Sequence, residues 1–403
     1  MALIPVEEAL ARVLAGVAPV AAVSVPLVEA NHRVLAAPLV ARRTTPASDV
    51  SAMDGYAVRA ADVAQAPTTL RVVGEAAAGR PFTGTIGAGE TTRVFTGGVM
   101  PAGSDAVVIQ ENTERAGTSV VMNVPAIAGQ HIRRAGGDFA AGDVLLPAGR
   151  RLTARDLALA ASADLAALEV HRRPRVGLLS TGDELVPPGV GAGPHQVILS
   201  NIYSVAALAR AAGAEVIDLG VLPDRMDATT AGVRAAIDAG LDVLVTTGGA
   251  SVGDHDLVAP ALVAEGVELA VHKVALRPGK PLMFGRRGGL RVLGLPGNPV
   301  SAHVCALLYL LPLLRALQGE PAAGLPLTDA ELGVPLKAND MRMDFMRAEI
   351  VGTGPRGPVV RPFPTQDSSM LSVLARAEAL LVRRPFAPAG EPGDACEIIR
   401  LDD

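Results

Sequence analysis

Between residues 241 and 256 a short apolar run, Leu241 to Val245, leads directly into Thr246-Thr247-Gly248-Gly249-Ala250-Ser251-Val252-Gly253-Asp254-His255-Asp256. Glycines leave backbone N–H groups open to the oxygens of an anion. The carboxylates of Asp254 and Asp256 repel a bare phosphate, so the combination fits a phosphoester that arrives with a divalent cation. By itself the stretch reads equally well as a tight strand-to-helix turn with solvated acids. Similar chemistry recurs at Ser180-Thr181-Gly182-Asp183-Glu184, at Gly220 to Asp224, at Lys273 and Arg277-Pro278-Gly279-Lys280, and at Pro296-Gly297-Asn298. Backbone at Gly248, Gly249 and Gly297, with the helix start after Asn298, suits phosphate oxygens. Lys273, Arg277 and Lys280 offer mobile positive charge. Asp183, Glu184, Asp224, Asp254 and Asp256 offer hard oxygens for Mg²⁺. Taken singly, Asp183 or Asp224 is an ordinary turn or cap residue, Lys280 a solvated charge and Ser251 a turn hydroxyl. Together they form a set that fits one ligand.

These residues must be carried on elements that bring them together. Val176–Leu179, Val216–Leu219, Leu241–Val245, Leu269–Leu276 and Arg291–Leu295 read as strands. Helical patterns cover Asn201–Ala212, Ala228–Ala239 and a stretch from Asn298-Pro299 towards Gly319. Alternating strands and helices imply a parallel sheet covered on both faces. In such a sheet the strand carboxyl ends share one edge, where ligands bind. Every candidate loop of this region falls at that edge. N-terminal to it, residues 5–14 are helical, and 42–137 hold short β-branched runs cut by Gly and Pro. Residues 153–167 are helical again, with Thr153 or Asp156 as cap. Residues 321–403 return to β runs. The fold class is therefore multidomain α/β. A discontinuous helical region (1–41 and 138–172) brackets a β-rich insertion (42–137), followed by an α/β domain (173–320) and a C-terminal β domain (321–403).

Composition narrows the function. The chain has 403 residues, 49% of them hydrophobic, with a net charge of −5, no Trp, three Tyr and seven Phe. Few aromatic platforms and a negative balance argue against nucleic acid. Cys305 and Cys396 lack a C-x-x-C partner, which argues against thiolate zinc and fits a reducing compartment. His255 and His272 have no metal-ligand partner at suitable spacing. Acids stand in the N-terminal stretch where a signal peptide carries bases. The apolar run Val304–Leu314 is short for a bilayer span, which needs about 20 residues, and it contains Pro312. A cytoplasmic location is expected. No G-x-x-x-x-G-K-[ST] and no G-x-G-x-x-G opens a helix, so ATPase and dinucleotide dehydrogenase readings lose their basis.

Five segments together carry a family resemblance: Ser51-Ala52-Met53-Asp54-Gly55-Tyr56-Ala57-Val58, Ser180 to Leu185, Thr247 to Asp254, Arg277-Pro278-Gly279-Lys280-Pro281, and Leu295 to Ala302. In that order they resemble the molybdopterin molybdenumtransferases, a family that includes the C-terminal portion of gephyrin. The resemblance covers nearly the whole chain. It implies a cytoplasmic homodimer that inserts molybdenum from molybdate into adenylylated molybdopterin, releasing AMP and requiring Mg²⁺. It extends the expected partners to the upstream molybdopterin adenylyltransferase and to downstream molybdoenzyme maturation proteins. It marks Glu184, Asp224 and Asp256 as acidic site positions and metal ligands, with Asp256 preferred over Asp254. Lys273 and Arg277 match a cationic pair. Asp54, Thr96 and Asp138 match positions that face the partner subunit's site, and Arg347 of Asp344-Phe345-Met346-Arg347 brings a guanidinium to the cleft. Thr181, Gly182, Gly248, Gly249, Ser251, Lys280, Pro296, Gly297, Asn298 and Ser368 complete the substrate-binding set. In a C-terminal β-barrel-like domain, Asp367 and Ser369 stand where relatives often carry a glycine and a histidine. Arg277 stands where a lysine is common, keeping charge but changing donor geometry. Molybdate and tungstate remain open as the oxyanion. So do two rivals: a nucleotide-site hydrolase indifferent to molybdate, and a scaffold protein.

Overall fold

Val243–Thr247 is the third strand of a six-stranded sheet ordered Glu215–Leu222, Arg175–Thr181, Val243–Thr247, Leu290–Leu295, Pro281–Arg287, Glu268–Lys273. The computed structural model describes residues 3–248, 257–321 and 324–401, the side chains at 271 and 272 excepted. The chain forms two compact units, one of Met1–Val23 with His171–Asp403, the other of Ser24–Val170.

In the first unit the first four strands of the sheet run parallel. The expected all-parallel sheet is corrected at Pro281–Arg287, which is antiparallel to both neighbours. Nothing in the residue order of this segment marks it as a strand. The cause is local: Gly288-Gly289, with Gly288 at φ +57°, turns it into Leu290–Leu295 as a tight hairpin, where two-residue glycine loops are favoured. Two antiparallel steps restore direction, so Glu268–Lys273 again ends on the same edge as the four parallel strands.

Both faces of the sheet are covered, as a parallel core requires. One face packs Val176, Val205, Leu293 and Leu313 into a large cluster. The other buries Leu179, Val233, Leu244, Leu262 and Val292. Leu313 sits on a 19-residue helical stretch, Pro299–Leu317. That stretch passes Pro312 by widening: Ala306–Leu310 is π-helical, and the Leu311 N–H bonds Ala306 O, five residues back. A proline lacks its own N–H and crowds the carbonyl four residues earlier, and a π-turn relieves both. Length and composition would let this helix cross a membrane, yet 72% of its most apolar window is buried in the protein's own core.

The helix Val6–Leu14 presents Val6, Ala9, Leu10 and Val13 as one buried stripe, and all four join the large cluster of the α/β sheet. Residues 1–23 therefore part from 24–41, which fall in one unit with 138–170, because this apolar stripe finds its partner surface elsewhere. At the C-terminus five strands close into a barrel: Met343–Gly354, Gly357–Pro362, Thr328–Leu332, Ala395–Arg400 and Ala379–Arg383, the last returning to the first. A short strap, Leu276–Arg277, adds to this sheet by pairing parallel with Met343 and Asp344.

The second unit holds a six-stranded sheet ordered Ala106–Ile109, Gly55–Val58, Glu90–Val94, Thr68–Ala76, Ser119–Met122, Thr113–Ala116. Tyr56, Leu70, Val108, Val120 and Met122 form its core. Its α-helix, Ala154–Ser162, starts at Thr153, whose N–H and hydroxyl each donate to the Asp156 carboxylate at 2.8 Å. The rest of 24–41 and 144–170 is less helical than expected: Leu39–Val40 pairs with Val144–Leu146 as short strands, in keeping with their β-branched content.

Candidate functional site

The strand ends of the α/β sheet are locked from inside. Ser180 and Thr247 share a buried 2.8 Å hydrogen bond between neighbouring strands. Just beyond, Gly248 adopts φ +88°, and a Cβ there would lie 2.7 Å from the Thr181 carbonyl oxygen. Only glycine meets both conditions without strain. Thr181 itself is buried, and Gly182 follows at φ +144°.

The acids at this edge have distinct tasks. The Asp183 N–H donates to Asp224 Oδ2 at 3.4 Å, and the Asp224 N–H donates to Asp183 Oδ1 at 3.2 Å. This reciprocal pair ties the loop after Arg175–Thr181 to the loop after Glu215–Leu222. Glu184 is exposed and its carboxylate folds over Gly182, where a Cβ would meet Oε2 at 2.6 Å. Glu184 and Asp224 thus come from two loops joined to each other. Gly249, Ser251, Asp254 and Asp256 lie outside the described residues. Among the described residues no three metal-capable side chains converge. Two exposed carboxylates are nonetheless the usual protein share of a Mg²⁺ site, which takes its other oxygens from phosphate and water.

The cations depart from the expectation of mobile charge. Lys280 is exposed and Lys273 half-buried, but Arg277 is pinned. Its guanidinium pairs with Asp340 and, at 3.2 Å from Nη1, with Asp344 Oδ2. The reason is the strap: pairing Leu276–Arg277 with the barrel places Arg277 opposite Asp344 in register. Burial raises the Asp344 pKa, with Arg277 opposing that shift. The neighbouring Asp340 is held below its ordinary value, chiefly by the Arg342 N–H. Nothing in the residue order marks Asp340 or Asp344 as a partner of Arg277. Asp344 stood in the quoted motif, but nothing in one sequence pairs it with a residue so far upstream.

The helix start after Asn298 is also occupied. The Val300 N–H donates to Ser368 O at 3.1 Å, and Asn298 Nδ2 donates to Ser368 Oγ at 2.8 Å. Pro299 has no N–H, so the barrel segment takes a donor that was expected to face phosphate. Gly297 remains exposed behind buried Pro296, its carbonyl accepting from Asn201 Nδ2 at 2.8 Å. Arg347 likewise differs from expectation. It is only 1% exposed and donates through Nη2 to Asp367 O at 2.9 Å, so it supports the 366–368 segment from within the barrel. The two unusual residues there satisfy one another: Asp367 Oδ1 accepts from the Ser369 N–H at 2.8 Å and its hydroxyl at 2.7 Å. Those bonds lower the Asp367 pKa.

In the second unit, Asp54 Oδ1 accepts from the Thr96 N–H at 2.7 Å and the Thr96 hydroxyl at 2.9 Å. These bonds hold its pKa down, with a smaller contribution from Arg93. Arg93 was missed; its guanidinium sits 5.0 Å from the ring centroids of both Tyr56 and Phe95. Its signal was a cross-strand pairing with Tyr56, which register alone reveals. Asp138 is exposed, its N–H donating to Thr45 O at 3.1 Å, and no side-chain bond joins it to Asp54.

An α/β domain with glycine-bearing strand ends, a β-rich region and a closed C-terminal barrel define a multidomain α/β protein whose candidate site lies at the strand ends. The family descriptions that match are "MoeA N-terminal region (domain I and II)" over residues 4–163, "Probable molybdopterin binding domain" over 177–316 and "MoeA C-terminal region (domain IV)" over 329–401. A molybdopterin molybdenumtransferase of Synechococcus elongatus is 39% identical over 388 residues, covering 93% of this chain and 94% of its own. One from Nostoc sp. is 40% identical over 297 residues, covering 72% and 68%. A crystal structure titled as the molybdopterin biosynthesis moea protein of Pyrococcus horikoshii superposes with a TM-score of 0.84 at 29% identity, covering all of both chains. The chain belongs to the molybdopterin molybdenumtransferase family.

Proposed function

We propose that this protein transfers molybdenum from molybdate to adenylylated molybdopterin, releasing AMP and giving molybdenum cofactor. The observation that carries the reading is the reciprocal Asp183–Asp224 staple. It holds two acid-bearing loops at the edge where Gly248, Lys273 and Gly297 also end their strands. Glu184 and Asp224, with Asp256, would hold Mg²⁺. The ion would supply charge stabilisation and a template for the diphosphate bridge. Lys273, Lys280 and Arg277 hold the oxyanion near the dithiolene sulfurs. Thr181, Gly182, Gly248, Gly249 and Ser251 line the nucleotide side, while Pro296, Gly297, Asn298 and Ser368 close the far end. In insertion the two dithiolene thiols would displace one oxo group of molybdate, which leaves as water with their protons, and a second water would cleave the diphosphate bridge into AMP and the pterin phosphate; no protein nucleophile is required. The protein acts as a cytoplasmic homodimer in which Asp54, Thr96 and Asp138 face the partner's site. Arg347 serves by holding Ser368 in place.

The test is AMP release from adenylylated molybdopterin with molybdate, with tungstate and with neither. Release that depends on molybdate is expected, and Asp256→Asn should abolish it in a folded protein. Release without any oxyanion would replace this reading with a hydrolase; ligand binding with no release would favour a scaffold.

A further inference from the structure

Arg277 is held unlike the lysines beside it. Its strap is fixed along the backbone: the Ile4 N–H donates to Lys273 O at 3.1 Å, the Ala275 N–H to Ile4 O at 2.8 Å, and the Met343 N–H to Ala275 O at 2.9 Å. Its side chain then meets two carboxylates from the barrel. Asp340 is rigid. Its Oδ1 accepts from the Arg342 N–H at 2.8 Å and its carbonyl from the Phe386 N–H at 2.7 Å. The adjoining Asn339 amide donates to the carbonyls of Arg342, Arg383 and Arg384 at 2.8, 2.9 and 3.0 Å. Asp344 is 8% exposed and sits on the barrel strand in register with Arg277.

Two acids outweigh one guanidinium, and Arg342, which also pairs with Asp340 at 3.3 Å, brings the cluster back to neutral, so bulk attraction for an oxyanion falls to Lys273 and Lys280. What the clamp adds is direction, since a forked donor tied on one side keeps a single orientation. The clamp is also incompletely closed. Arg277 Nε and Asp344 Oδ1 are both buried with no hydrogen-bond partner among the described residues. The pairing is therefore set by the backbone register of strap and barrel rather than by full mutual hydrogen bonding of the two side chains.

We infer that Asp344 is a positioning residue: from the C-terminal barrel it orients Arg277 for the oxyanion step of the transfer reaction. This rests on the proposed function, and it makes the barrel a working part of the α/β site. Asp340 is the second arm of the same clamp.

The test measures rate against molybdate and against the pterin separately for wild type, Asp344→Asn, Arg277→Gln and the double variant. Asp344→Asn should raise the molybdate concentration for half-maximal rate about tenfold, as loss of a charge-assisted partner does. The pterin dependence should stay within about twofold, a split that general loosening would not produce. The double variant should be no worse than Arg277→Gln alone. An unchanged molybdate dependence in Asp344→Asn, or losses that simply multiply in the double variant, overturns the inference. If Asp344→Asn does not fold, exposed Asp340→Asn decides the matter by the same two-substrate split. If the wild type shows no molybdate-dependent turnover, the functional reading fails instead. Calorimetric binding of molybdate alone to wild type and Asp344→Asn then decides, equal affinities sinking the positioning role.

Discussion

The acidic edge and the cationic strap of the α/β domain follow opposite rules. Asp183, Glu184 and Asp224 are exposed and organised by bonds between the two loops that carry them. Arg277 is organised by a different domain, through a strand that leaves the α/β sheet to join the barrel. Local sheet topology suffices for the first region. The second depends on a long-range contact and inherits whatever the barrel does. A metal site tolerates exposed carboxylates because water completes its shell, while an oriented guanidinium must be fixed by partners.

The largest expected effect breaks the acidic edge at its backbone. Gly248→Ala places a Cβ 2.7 Å from the Thr181 carbonyl at φ +88°. Strain of this kind costs about 1–3 kcal/mol. Urea unfolding should show a lower midpoint, and the same variant should lose most turnover. A variant as stable as wild type would mean that the strand ends are looser than described.

An intermediate effect separates stability from activity in the strap. Because burial raises the Asp344 pKa in the folded protein, the folded state binds more protons than the unfolded one above the ordinary value of 3.8. Stability attributable to this group therefore falls as pH rises from 3.8 through the raised folded value. Asp344→Asn should be at least as stable as wild type at neutral pH, and the difference should shrink towards acid, where both forms are uncharged. Thermal unfolding across pH reads this directly; a variant destabilised at neutral pH but not in acid contradicts it. Loss of activity without loss of stability would mark a residue kept for function.

The smallest effect lies at the contact between barrel and helix start. Ser368→Ala removes the hydroxyl that accepts from Asn298 but leaves the carbonyl that caps Val300. One neutral hydrogen bond contributes about 1 kcal/mol, so the melting temperature should shift slightly. A collapse in stability would show that the 366–369 segment has no other support.

Much of the acidic edge was legible in sequence. Apolar runs followed by Gly and Asp announce strand ends, and parallel topology collects those ends on one side. Hence Thr181, Gly182, Glu184, Asp224 and Gly248 were placed together with no coordinates. Pro281–Arg287 was illegible because its run, Pro-Leu-Met-Phe-Gly-Arg-Arg, lacks alternation and begins inside a turn motif. For Arg347 the residue order offers only a cation near the cleft; its burial and its bond to the Asp367 carbonyl appear only in the folded barrel. Phosphate capacity at the helix start was overestimated for a related reason: whether an N–H is free depends on what another domain brings to it.

Residue order alone determined the α/β alternation, the glycine positions that demand left-handed backbone, and the family to which the chain belongs. These follow from short-range rules on periodicity and dihedral sterics. Only the tertiary structure decided that Asp183 and Asp224 cap each other's loops. It alone put Ser368 at the Val300 N–H and closed a barrel acid on Arg277. Each of those contacts joins residues distant in sequence, and pairing across such distances is set by packing rather than by any local pattern.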